Sequence, residues 1–175
     1  MVPRKRLAYQ LLEWVGDDRL TMVDPGRGWP SYLDCKTRTG VTRIAAYLGD
    51  IGDSHRNRPD ERRFQNPGQD HPVHEPEGDE IPMMLGATTE VKKQPILVGM
   101  DAHKRIGALT RYSLFMPIQL VEAAVKDGWH EHMSTAEERL IAFTPRLLPL
   151  FVDVYRSKRA VTAKEIAAML RTARD

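Results

Sequence analysis

Arg56, Arg58, Arg62 and Arg63 fall in one short polar stretch, interleaved with His55 and Asn57 and followed by Gln65. A guanidinium is a planar fork of donors that matches phosphate oxygens and the O6/N7 edge of guanine. A second basic run, Lys104 and Arg105 with Arg111 beyond Gly107, lies between two apolar segments. If the two runs face one way, they neutralise several phosphates and bind a polyanion in a salt-dependent manner. The alternative is a surface ion network in which Asp60 and Glu61 take up the same arginines.

Other groups could do different chemistry. Asp24-Pro25 followed by Asp34-Cys35-Lys36, behind a helix carrying Glu13, has the spacing of PD-(D/E)xK nucleases. In such a site the acids hold Mg²⁺ and the lysine positions the attacking water. Asp24, Asp34 and Lys36 would then be catalytic; otherwise Asp34 and Lys36 form the outward face of a strand and no cofactor is called for. His71 with His74, and His130 with His132, offer two ligands each, short of the four that a closed zinc site needs, so no metal site is expected. Cys35, the single cysteine, has no evident base partner and reads as a buried, inert thiol. A base taken out of its stack needs a flat apolar wall and hydrogen-bonding groups, and Tyr32, Asp101 and Tyr112 are the candidates for such a pocket.

These residues must be positioned by a chain of 175 residues, a one-domain length, whose 41% hydrophobic content supports a real core. One cysteine excludes an internal disulfide framework and fits a reducing, cytoplasmic setting. No apolar run is long enough for a membrane span. The net charge of +2 says little, but its distribution says more. Four arginines fall within 55–63 and five carboxylates within 70–80, which suggests a basic face with an acidic loop held away from it.

Leu7, Leu11, Trp14 and Val15 share one side of a helix that Gly16 would end. Residues 31–35 and 41–48 read as a hairpin, as do 83–88 with 96–100, and 129–132 with 140–143. A short strand is expected near 62–65, and the proline-rich 66–82 is the least structured part. Strands over 96–98 and 112–116 enclose the second basic loop and sit together under a helix from Pro117 to Gly128, on whose face Ile118, Val121, Ala124 and Val125 recur. Thr144-Pro145 starts another helix, and Thr162 with Glu165 forms a capping box for a last one. The sum is an α+β domain over 1–160: five to seven short strands in a mostly antiparallel, barrel-like twisted sheet covered by helices. The helix within 161–175 would connect to a further domain.

The segments Arg56–Pro67, Met83–Gly86, Pro95–Gly107, Ser113–Pro117 leading to Asp127-Gly128-Trp129, and Ile141–Pro145 resemble the N-terminal, SRA-like recognition domains of modification-dependent restriction endonucleases. The resemblance spans roughly 31–155, and Arg58, Glu61, Arg63 and Gln65 match its most recurrent part. It implies double-stranded DNA as ligand, a flipped modified cytosine as read-out, defence against foreign DNA as role, and a nuclease domain or subunit as partner.

Three readings follow. The first is a non-catalytic module that recognises a specific or modified DNA site through His55, Arg56, Asn57, Arg58, Arg62, Arg63, Gln65, Lys104, Arg105 and Arg111. The second is the small Mg²⁺-dependent nuclease. The third is a protein-interaction subunit of a defence complex.

Overall fold

The computed structural model describes residues 3–68, 71–107, 113–157 and 161–174. The helix that Leu7, Leu11 and Val15 require runs over Arg4–Val15 (α1). Gly16 ends it at φ +104°, donating its N–H to the Leu12 carbonyl. Ten strands follow among the described residues: β1 (Leu20–Asp24), β2 (Ser31–Thr37), β3 (Gly40–Asp50), β4 (Gly52–Asp53), β5 (Glu61–Gln65), β6 (Ile81–Thr88), β7 (Ile96–Asp101), β8 (Ser113–Pro117), β9 (Trp129–Met133) and β10 (Arg139–Phe143). Helix α2 (Ile118–Asp127) sits between β8 and β9, while α3 (Leu148–Ser157) and α4 (Ala163–Arg174) close the chain.

Seven strands form one sheet in the order β1-β2-β3-β6-β7-β10-β9, antiparallel throughout except for the parallel pair β3 and β6. The remaining three form a small antiparallel sheet in the order β4-β5-β8. The mixed α+β class and the mostly antiparallel arrangement are as expected. The large sheet is not a barrel, however: it stays open, with β1 and β9 as its edges. The three expected hairpins are present, and β1 adds a further antiparallel pairing at the edge beside β2.

Side chains alternate across the large sheet, and both faces are buried. On one face Leu33, Ile44, Ala46, Leu48, Met83, Leu85, Leu97, Ile141 and Phe143 pack against α1 and α3. On the other, Ala45, Tyr47, Met84, Val98, Met100, Leu140 and Ala142 pack against α2 and against Phe64, Leu114 and Met116 of the small sheet. Strands covered twice need no polar face and read as near-continuous apolar runs.

This arrangement separates the two strands that enclose the second basic loop. β7 lies in the large sheet and β8 in the small one, so they do not pair, yet both pack with α2 in one core as expected. The proline-rich segment also departs from expectation. It carries little regular structure, yet the Trp29 indole donates to the His71 carbonyl, the His74 N–H donates to the Tyr47 hydroxyl, and Val73 bridges Ile106. Part of the acidic stretch therefore docks beside the second basic loop instead of standing away from it. The last helix packs Ile166, Met169 and Leu170 against the first core, after the Thr162 hydroxyl has capped the Glu165 N–H.

Gly99, at the centre of β7, tests the closeness of this packing. A β-carbon there would stand 2.4 Å from the ring of Phe151, a residue 1% exposed with no room to retreat. Gly99→Ala is expected to destabilise the fold by about 1–3 kcal/mol through overpacking. Urea denaturation should show a lower midpoint at an unchanged slope.

Candidate nucleic-acid interface

The small sheet has one buried and one open face. Phe64, Leu114 and Met116 point into the core, which leaves Glu61, Arg63, Gln65, Ser113, Phe115 and Pro117 on the other side. Register places Arg63 opposite Phe115. The loop before β5 folds back over this open face. His55 and Asn57 both adopt left-handed backbone, at φ 59° and 56°, and the Asp53 carboxylate accepts the His55 N–H. Between them, Arg56 lays its guanidinium 3.8 Å from the centroid of the Phe115 ring. Such a cation–π contact at an exposed site contributes on the order of 0.5–1 kcal/mol.

Glu61 organises the charges here. Its carboxylate accepts two hydrogen bonds from Arg56, at 2.8 and 2.7 Å, and a third from Arg58 at 3.3 Å. Arg56 first, with Ser54 and Arg58 after it, draws the Glu61 carboxyl down from its ordinary 4.5 to about 2. Arg62 reaches away to clamp Glu90, and Arg105 clamps the buried Glu138. Arg58 remains 62% exposed, and Arg63 makes no ion pair among the described residues. Both readings of the basic stretch are thus partly realised: an ion network is present, and it leaves cationic groups facing solvent.

Both basic segments lie near one structure, the β9–β10 hairpin. A cavity of about 670 Å³ separates the 56–61 segment from His132, Ser134 and Thr135 on one flank of that hairpin. On the other flank Lys104 donates to the Glu137 carbonyl and Arg105 holds Glu138. Arg63 and Gln65 turn toward a second hollow, shared with Arg4 and His55. Arg111 and Tyr112 lie outside the described residues.

The other candidates sit elsewhere. Asp101 lines a separate cavity of about 400 Å³ with His103 and Tyr155. Its Oδ1 accepts from the Tyr155 hydroxyl at 2.6 Å, from the His103 N–H at 2.7 Å, and lies 2.7 Å from His103 Nδ1. Burial alone would raise the Asp101 carboxyl, but these bonds outweigh it and hold the group below its ordinary range. The Tyr155 hydroxyl is pushed up, by burial and then by Asp101. Tyr32 packs at the rim of the second core, two strands from Pro82, whose carbonyl Tyr155 also contacts.

Asp24, Asp34 and Lys36 are on the β1–β2 hairpin. Asp34 stands opposite Arg43 and pairs with it at 2.5 Å, while the Asp24 carboxylate accepts the Gly26 N–H. Among the described residues no three His, Cys, Asp or Glu side chains are grouped to hold a metal ion. Cys35 is fully buried, and burial followed by Asp153 pushes its thiol up to about 12. Sequence reasoning did not single out Phe115 or Gln119, weighed His132 only as a metal ligand, and missed Tyr155 as the partner of Asp101.

The clamp on Glu61 has a pH signature. Because its folded pKa lies below the ordinary value, the interaction is at full strength above about pH 4.5 and is lost as pH falls through about 2. Carboxyl-selective NMR titration should find the Glu61 midpoint near 2, and in Arg56→Ala it should move up toward 4.5.

No helix among the described residues is long and apolar enough to cross a membrane. No curated protein and no solved structure matches the chain. The family model described as Methylase-associated X1 (MTaX1) matches residues 42–152, from the start of β3 into α3 and so across the whole of the small sheet and the hairpin beside it. The chain belongs to the Methylase-associated X1 family.

Proposed function

We propose that this chain is a DNA-binding module of a restriction-modification system, acting on double-stranded DNA beside a methylase and cutting nothing itself. The observation that carries this reading is the approach of both basic segments to one hairpin, with Arg58 exposed and Arg63 half-buried beside a neighbouring hollow. The family description, methylase-associated, supports a restriction-modification setting, in which DNA would be the shared substrate. Phosphate competes on favourable terms for a guanidinium held by one long contact, as Arg58 is, and on poor terms for one held by two short ones. The contacting groups are therefore Arg58 and Arg63, with Lys104 on the far flank.

Few phosphates are neutralised on this reading, and the logarithmic salt slope of duplex binding should correspond to roughly two to four contacts. Arg58→Ala and Arg63→Ala are each expected to weaken binding and to lower that slope by about 0.9, while leaving the thermal midpoint unchanged. Fluorescence anisotropy on a labelled duplex at several salt concentrations measures both quantities. Full affinity in both variants would sink the proposal. Running methylated and unmethylated duplexes in parallel tests whether a modification is read.

A further inference from the structure

Resting on that reading, we propose that the outer face of the Arg56 guanidinium is a stacking platform for an unpaired nucleobase, received in the cavity between the small sheet and the β9–β10 hairpin. A guanidinium can be engaged along its edge or across either face. Along the edge, Glu61 occupies the fork with two bonds, at 2.8 and 2.7 Å. One face rests on the Phe115 ring, 3.8 Å from its centroid. The side chain nevertheless keeps 42% of its surface exposed and lines the cavity.

Glu61 takes the Nε/Nη2 edge, so a phosphate has only the outer Nη1/Nη2 edge left to it. The face turned away from Phe115 is also left open, and flat cationic faces bind π-systems. The plane is fixed before any ligand arrives, by Glu61 in the plane, by Phe115 beneath it and by the left-handed residues His55 and Asn57 on either side. Little conformational freedom is left to lose on binding. The cavity, about 670 Å³, is of a size that takes a heterocycle. Asn57, Gln119, His132, Ser134 and Thr135 line it with donors and acceptors that suit the edge of a base, while Met116 and Pro117 add apolar wall. Base faces inside a duplex are covered by their neighbours, so the ligand is a base without them: in a single strand, at a gap or at an end.

The test uses the full chain and a short single-stranded DNA carrying 2-aminopurine, beside the same strand with an abasic site at that position. Loss of the base is expected to weaken binding about tenfold or more. Arg56→Lys keeps the charge but loses the plane, and should bind both strands with the same reduced affinity. Phe115→Leu, which keeps the apolar volume without the ring, should behave alike. Equal affinity of the unmodified protein for both strands, or undiminished discrimination in Arg56→Lys, would overturn the platform. If duplex binding with its salt slope persists in that case, only this inference fails. If no nucleic acid binds in any form, the reading beneath it fails too.

Discussion

Double-sided burial of the central strands constrains everything else in this molecule. β3, β6, β7 and β10 present apolar side chains to both faces, so each face must be covered by something with an apolar side of its own. Helices α1 and α3 do this on one side. On the other, α2 covers only part of the sheet, and the small sheet covers the rest. Phe64 is how it seats. Gly49 and Gly86 are partners across the parallel β3–β6 ladder, and a β-carbon on Gly49 would stand 2.5 Å from the Phe64 ring. Two adjacent glycines thus open a slot that an aromatic side chain fills. The small sheet is a lid on the core, and its outward face inherits the rigidity of the core beneath it.

That rigidity decides what the surface charges can do. Exposed ion pairs contribute little to stability, since the gain in attraction is offset by the ordering of long side chains and screened by salt. Glu61 and Glu90 therefore act mainly on geometry: each fixes the direction of an arginine. A clamped guanidinium has one edge withdrawn from phosphate and gains a defined plane, whereas Arg58, held by one long bond, keeps its fork available. Arginines that look equivalent in the sequence thus divide into two kinds. The division follows from which carboxylate the fold brings near, not from the arginines themselves.

The local parts of the fold are legible in the sequence. Helix α2 is marked by Ile118, Val121, Ala124 and Val125 between Pro117 and Gly128, and the three hairpins join neighbours in the chain. The long-range parts are not. The β3–β6 pairing spans a connection with its own strands, and no local pattern marks a parallel partner. β3 itself is ambiguous between strand and helix because Ala45 and Ala46 are buried on opposite faces and erase the alternation. The site divides similarly. The arginine stretch is evident from residue type alone. Phe115 is hidden, since Ser113–Pro117 is apolar nearly throughout although only Leu114 and Met116 face the core. Glu61 stands out in the sequence as a possible ion-pair partner, but its double use by Arg56 and Arg58 depends on a loop conformation that spacing does not encode.

The candidate interface is built from connections, not from the main sheet. β4, β5 and the Arg56 loop all belong to the link between β3 and β6, and so does the segment that docks through Val73. β8 and the second basic run belong to the link between β7 and α2. Segments of this kind elsewhere are variable surface loops, free to carry function because the scaffold does not depend on them. Here the scaffold does depend on them, since Phe64, Leu114 and Met116 are core residues contributed by the same strands that carry Arg63 and Phe115 outward. Alternation along β5 and β8 therefore couples the two roles at a spacing of one residue. A shift of register by one position would bury the charged face and expose the apolar one, so the interface holds its arrangement for the same reason that the core holds together.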